Sequence, residues 1–134
     1  MERNRNQTSK LEIFTGSNVN WNKWWGELII EELVRNGTEC FCISPGSRST
    51  PLTAAVATNP EANAVICYDE RAAAYYALGY ARGTGNPAVL ICTSGTAAAN
   101  YLPAVIEASV ETIPLLLMTA DRPPELQGNR SNQA

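Results

Sequence analysis

Apolar positions along this chain follow two rhythms. Trp21, Trp24, Trp25, Leu28, Ile29 and Leu33 recur three or four residues apart, the spacing of one helix face. That pattern predicts a helix over residues 21–36, with Gly37 as a suitable stop. Residues 39–43, 64–68, 88–92 and 114–120 are instead apolar at consecutive positions, and each run reads as a short strand. Helical patterns fill the intervals, over residues 50–58, 69–82 and 96–111. Asn59-Pro60 breaks the first of these, and Gly83-Thr84-Gly85-Asn86-Pro87 reads as a loop.

Strands that are apolar throughout and alternate with helices belong to a mainly parallel sheet with helices on both faces, an α/β fold. Ligands of such sheets bind beyond the carboxyl ends of the strands. The polar clusters fall there, at residues 45–50, 69–71, 93–96 and 121–124. After Ala120 the chain is polar and turn-rich, with no apolar element to close it. The expectation is one incomplete domain over residues 1–134, part of a longer protein.

Composition narrows the classes. At 134 residues and 45% hydrophobic, the chain suits one domain with a sizeable core. A net charge of −3 and scattered Lys and Arg argue against a nucleic-acid partner. The polar first ten residues carry no signal-peptide core, and no apolar run approaches the ~18 residues of a membrane span. The expected location is cytoplasmic. With no histidine, Ser-His-Asp triads, Cys-His pairs and H-E-x-x-H zinc helices are excluded. Cys40, Cys42, Cys67 and Cys92 each sit in an apolar run and are expected to be buried, reduced thiols.

Chemistry then falls to a few residues. Glu70 follows a strand and opens a helix. Acidic residues are common there because the helix N-terminus is partly positive. Here, however, Ala72, Ala73, Ala74 and Ala77 make a helix that can pack closely, leaving Glu70 at the sheet edge, where a partly buried carboxyl can share a proton with a heterocyclic nitrogen. Pro45-Gly46-Ser47-Arg48-Ser49-Thr50-Pro51 is a strand-to-helix turn; its reading is either a capped turn with a surface arginine or a site for carboxylate or phosphate. Thr93-Ser94-Gly95-Thr96 repeats that geometry and is not a P-loop. Gly83-x-Gly85-x-x-Ala88 imitates a dinucleotide fingerprint but comes after a helix, the wrong order. Arg122, in Asp121-Arg122-Pro123-Pro124, places a second guanidinium at a strand end; two arginines at neighbouring ends are either solvated surface groups or suit a substrate with more than one carboxylate.

In order and spacing, Ser44-Pro45-Gly46-Ser47-Arg48-Ser49-Thr50-Pro51-Leu52, Asp69-Glu70-Arg71, Thr93-Ser94-Gly95-Thr96-Ala97, Thr119-Ala120-Asp121-Arg122-Pro123-Pro124-Glu125-Leu126 and Asn132-Gln133-Ala134 resemble the SEPHCHC synthase family of thiamine-diphosphate-dependent carboligases. The resemblance runs from about Trp21 to the last residue. It implies the pyrimidine-binding domain of a transferase of menaquinone biosynthesis, which decarboxylates 2-oxoglutarate and adds the succinyl-semialdehyde unit to isochorismate. By the same resemblance Glu70 is the glutamate that bonds the aminopyrimidine ring and so promotes loss of the thiazolium C2 proton. Pro45, Gly46, Thr93 and Ser94 line the cofactor pocket, and Ser47, Arg48, Arg122, Asn132 and Gln133 hold isochorismate. The family carries the diphosphate, with Mg2+ or Mn2+, on a later Gly-Asp-Gly…Asn domain that this chain lacks, and it works as a dimer or tetramer. The isolated chain is therefore expected to be inactive. The rival expectations are another such carboligase or decarboxylase, similar to acetolactate synthase, and a binding or assembly fragment. The Arg48 and Arg122 pair distinguishes the first, since pyruvate chemistry needs no dicarboxylate site.

Overall fold

The computed structural model describes residues 20–126. Helix α1 spans Trp21–Arg35. The Asn20 side chain caps it by accepting from the Lys23 N–H, and Gly37, at φ +86°, closes it. The amides of Gly37 and Thr38 turn back to the carbonyls of Val34 and Leu33, which satisfies the last turn. Then follow β1 (Cys40–Ile43), a 3-10 turn (Ser47–Ser49), α2 (Thr50–Thr58), β2 (Asn63–Ile66) and α3 (Glu70–Thr84). The chain continues through β3 (Ala88–Cys92), α4 (Thr96–Ala99), α5 (Leu102–Val110), β4 (Leu115–Thr119) and a last 3-10 turn (Pro124–Leu126).

The four strands form one parallel sheet in the order β2-β1-β3-β4. Period-two alternation sends its side chains into two cores. Cys40 and Cys42 of β1, with Ala88, Leu90 and Cys92 of β3, pack under α3 and α5. Phe41, Ile43, Val89 and Ile91 pack on the other face with Ile30 of α1 and Ala55 and Val56 of α2. The α/β reading of the sequence is met: parallel strands, helices on both faces.

Three details differ from the sequence expectation. All nine residues of the two central strands are buried, but β2 and β4 each have one neighbouring strand and stay half open, so Ile66, Leu116 and Leu117 are exposed. The helix expected over residues 96–111 is broken into α4 and α5. Pro103 has no N–H to give the carbonyl four residues back and its ring conflicts with that carbonyl, so the helix restarts with Pro103 in its first turn. Tyr101, at the break, is fully buried. Finally, α3 runs on through Gly83 and Thr84, and Gly85, in the left-handed region at φ +76°, is its cap.

The thiols largely follow expectation: all four cysteines are free, and Cys40, Cys42 and Cys92 are buried, while Cys67, just past the edge strand β2, is half-buried. The Cys40 and Cys42 sulfurs, on one face of β1, lie 3.8 Å apart. That contact, reinforced by burial, pushes the Cys42 thiol well above the ordinary cysteine range. Among the described residues no helix is long and apolar enough to cross a membrane.

Candidate functional site at the carboxyl edge of the sheet

All four strands point the same way, so the segments after them share one edge. Strand order sets the sequence of groups along it: Glu70 beyond β2, residues 44–48 beyond β1, Thr93 and Ser94 beyond β3, and Arg122 beyond β4. At ~4.8 Å per strand spacing the row is about 14 Å long.

Glu70 is the first residue of α3 and is half-buried. Its position is set by Asp69, whose Oδ1 accepts from the backbone N–H groups of Arg71 (2.9 Å) and Ala72 (3.2 Å). Asp69 also receives the Arg71 guanidinium, 2.9 Å from Oδ2. That bond, with the two amides, holds the Asp69 carboxyl at about 2. Buried Ala73, Ala74 and Ala77 let α3 lie close on β1 and β3, as small side chains on that face predict.

The turn after β1 is tightly bound. The Ser44 N–H donates to the Ile91 carbonyl at 2.9 Å, joining it to β3. The Ser49 amide (3.1 Å) and hydroxyl (3.0 Å) both donate to the Gly46 carbonyl, and Ser49 is fully buried. Gly46 is extended at φ −159°, so its role is space, not an unusual backbone angle. A Cβ there would meet Thr93 Cβ at 2.5 Å, which means that the two turns touch. From this turn the half-buried Arg48 donates through Nη1 to Ser94 Oγ at 3.2 Å. Pro45, Gly46 and Ser47 also border a cleft of about 460 Å3 that continues along Thr50, Thr53, Ala54 and Ala57 of α2.

Thr93 and Ser94 are both buried at the end of β3. The hydroxyls of Ser44, Thr93 and Tyr101 are buried without a hydrogen-bond partner among the described residues. Tyr101 lies beside Ser44 and Cys92, short of hydrogen-bond geometry. Burial pushes its phenol up from the usual range, and the nearby Cys92 and the charge of Glu70 act in the same direction. Glu70 also raises the Cys92 thiol, though burial is the larger cause.

Arg122 is buried, 8% exposed, and its own amide donates to Asp121 Oδ1. It follows β4, not a strand next to β1, so the two arginines flank β3 instead of sitting at adjacent strand ends. Thus Pro45, Gly46, Ser47, Arg48, Glu70, Thr93, Ser94 and Arg122 come to one edge; Asn132 and Gln133 lie outside the described residues. Tyr101 was not among the expected residues; Pro103 inside a helical run was the signal that could have drawn attention to it.

A family model described as the thiamine pyrophosphate enzyme N-terminal TPP binding domain matches residues 23–134. The chain belongs to this family. It is similar to the curated 2-succinyl-5-enolpyruvyl-6-hydroxy-3-cyclohexene-1-carboxylate synthase (SEPHCHC synthase) of Chlorobium phaeovibrioides, 62% identical over 109 residues, which are 81% of this chain and 19% of that protein. The protein of the same name from Rubrobacter xylanophilus is 59% identical over 112 residues, 84% of this chain and 20% of the relative. The chain thus spans about a fifth of the length of the curated relatives it matches.

The residues present fit a pyrimidine ring of thiamine diphosphate, which is the pyrophosphate of the family description. A half-buried carboxylate stands at one end of the edge, and a buried hydroxyl without a partner among the described residues, that of Thr93, lies nearer the middle, where Gly46 packs directly against it.

Proposed function

We propose that this chain is the pyrimidine-binding part of a SEPHCHC synthase, a transferase of menaquinone biosynthesis that joins a unit from 2-oxoglutarate to isochorismate. The observation that carries the reading is the layout of the edge. The half-buried Glu70 stands beyond β2, and the guanidiniums of Arg48 and Arg122 stand either side of β3. The names of the relatives support the same assignment.

Thiamine diphosphate, when bound, supplies the electron sink that decarboxylation of a 2-oxo acid requires. The roles of this chain's residues follow from their chemistry. Glu70 would hold a ring nitrogen of the aminopyrimidine through its carboxyl group, which can give or take a proton there. Pro45, Gly46 and Thr93 form the wall against that ring, whereas the Ser94 hydroxyl accepts from Arg48. Arg48 and Arg122, with Ser47, Asn132 and Gln133, hold the acceptor, because a guanidinium presents a planar fork that matches a carboxylate. The diphosphate and Mg2+ or Mn2+ are held by protein outside these residues, contributed by another copy in a homo-oligomer, and the complete enzyme works in the cytoplasm.

The test separates donor from acceptor. Lys keeps the charge and loses the fork, so Arg48→Lys and Arg122→Lys in the complete enzyme should each raise KM for isochorismate. A lost charge-assisted bond is worth roughly 1.5–3 kcal/mol, about ten- to a hundredfold. Decarboxylation of 2-oxoglutarate alone should change less, because it precedes acceptor capture. If both variants lose that partial reaction as strongly as the full one, the arginines do not serve the acceptor.

A further inference from the structure

Ser94 stands between the two halves of the edge. It is 5% exposed at the end of β3 and accepts the Nη1 hydrogen of Arg48 across 46 residues of sequence. The two turns that carry these side chains are locked together. Gly46 lies against Thr93 so closely that no Cβ fits between them, and the Ser44 amide ties the first turn to Ile91. The turn bearing Arg48 is further braced by both Ser49 bonds to the Gly46 carbonyl. A guanidinium is planar, so fixing one Nη1–H toward a buried oxygen at a rigid site restricts the rotation of its plane.

We infer that Ser94 is a positioning residue: its hydroxyl sets the plane of the Arg48 guanidinium and thereby makes the site selective for a carboxylate-bearing acceptor. The inference rests on the acceptor reading above and deepens it. A wall residue of the cofactor pocket would act on cofactor affinity; a positioning residue acts through Arg48 alone. The two roles therefore separate in measurements of binding as well as of turnover.

The experiment is a double-mutant cycle in the complete enzyme. Isochorismate binding to the wild type, Ser94→Ala, Arg48→Lys and the double variant is measured by calorimetry. Thiamine diphosphate binding and 2-oxoglutarate decarboxylation are followed in parallel. Ser94→Ala should weaken isochorismate binding about tenfold, the effect of one hydrogen bond to a charged group. Cofactor affinity should stay within about twofold. In the Arg48→Lys background, Ser94→Ala should have little further effect, since residues acting through one interaction are not additive. Ser94→Thr, which keeps the hydroxyl, should restore most of the affinity and covers the case in which the alanine variant folds poorly. Loss of cofactor affinity with unchanged isochorismate binding overturns the inference, as do additive effects of the two substitutions. A wild-type enzyme that decarboxylates 2-oxoglutarate but does not bind isochorismate overturns the acceptor reading itself, and this inference with it.

Discussion

At the level of single residues, Glu70 owes its position to Asp69, which caps the helix that Glu70 opens. Exchanging Glu70 for Gln keeps the shape and removes the titratable proton. In the complete enzyme turnover should fall ~100- to 10,000-fold, the range for general acid–base groups, with cofactor binding largely intact. Hydrogen exchange at the cofactor's C2 position, followed by NMR, is the direct check, and near-normal exchange would make Glu70 structural. Asp69 carries a separate expectation. Its carboxyl is depressed from 3.8 to about 2, first by the Arg71 guanidinium and then by the helix amides. A depressed acid contributes stability above its unfolded pKa and loses it as pH falls through the folded value. Thermal melts of wild type and Asp69→Asn should therefore differ at neutral pH, and the gap should close as pH falls from 3.8 towards 2. A constant gap would show that the cap acts through shape alone. The place of Glu70 at the start of a helix beyond a strand was legible, because a carboxylate after an apolar run and before a helix is a local signal. The bond from Arg48 to Ser94 was not, because 46 residues separate the partners and only the sheet brings them together.

At the level of elements, close approach sets the tolerances. Gly26 of α1 faces α2, and a Cβ there would meet the Pro51 carbonyl oxygen at 2.7 Å. Alanine is favoured over glycine inside a helix by about 1 kcal/mol. Against this, a backbone atom must shift, and overpacking costs about 1–3 kcal/mol. Gly26→Ala should thus destabilise the chain. Gly79 lies inside α3 with nothing within 4 Å of its would-be Cβ, so Gly79→Ala should stabilise by roughly 0.5–1 kcal/mol. Urea unfolding of the two variants tests the pair, and opposite signs are the expected result. Element type was readable from periodicity, since β1 and β3 are apolar at every position and α1 repeats at helical spacing. What was not readable depended on neighbours. Pro103 ended a helix that the apolar pattern alone would have continued, and the openness of β2 and β4 follows from their places at the ends of the sheet order.

At the level of the whole molecule, under the proposed function the edge meets a ring and an acid more than a diphosphate. Its groups are the half-buried Glu70, buried hydroxyls and the guanidiniums of Arg48 and Arg122, while Asp69 is engaged by Arg71 and helix amides and Asp121 accepts from the Arg122 amide; a hydrated Mg2+ asks for carboxylate and carbonyl oxygens beside phosphate. Among the described residues no group of three or more His, Cys, Asp or Glu side chains is placed to hold a metal ion, and the 134-residue sequence has no Gly-Asp-Gly run. Charged phosphate contacts and the metal carry much of such a cofactor's affinity, since charge-assisted bonds are roughly twice as strong as neutral ones. The 134-residue chain alone should therefore bind thiamine diphosphate weakly, and Mg2+ should add little to the affinity. Titration calorimetry with and without Mg2+ measures both. Thiamine without its diphosphate is the informative comparison. If the chain contacts chiefly the ring, thiamine and thiamine diphosphate should bind within a few-fold of each other. Tight binding of the diphosphate form alone, strengthened by Mg2+, would mean that these residues hold the phosphates after all, and the division of the site proposed here would be wrong.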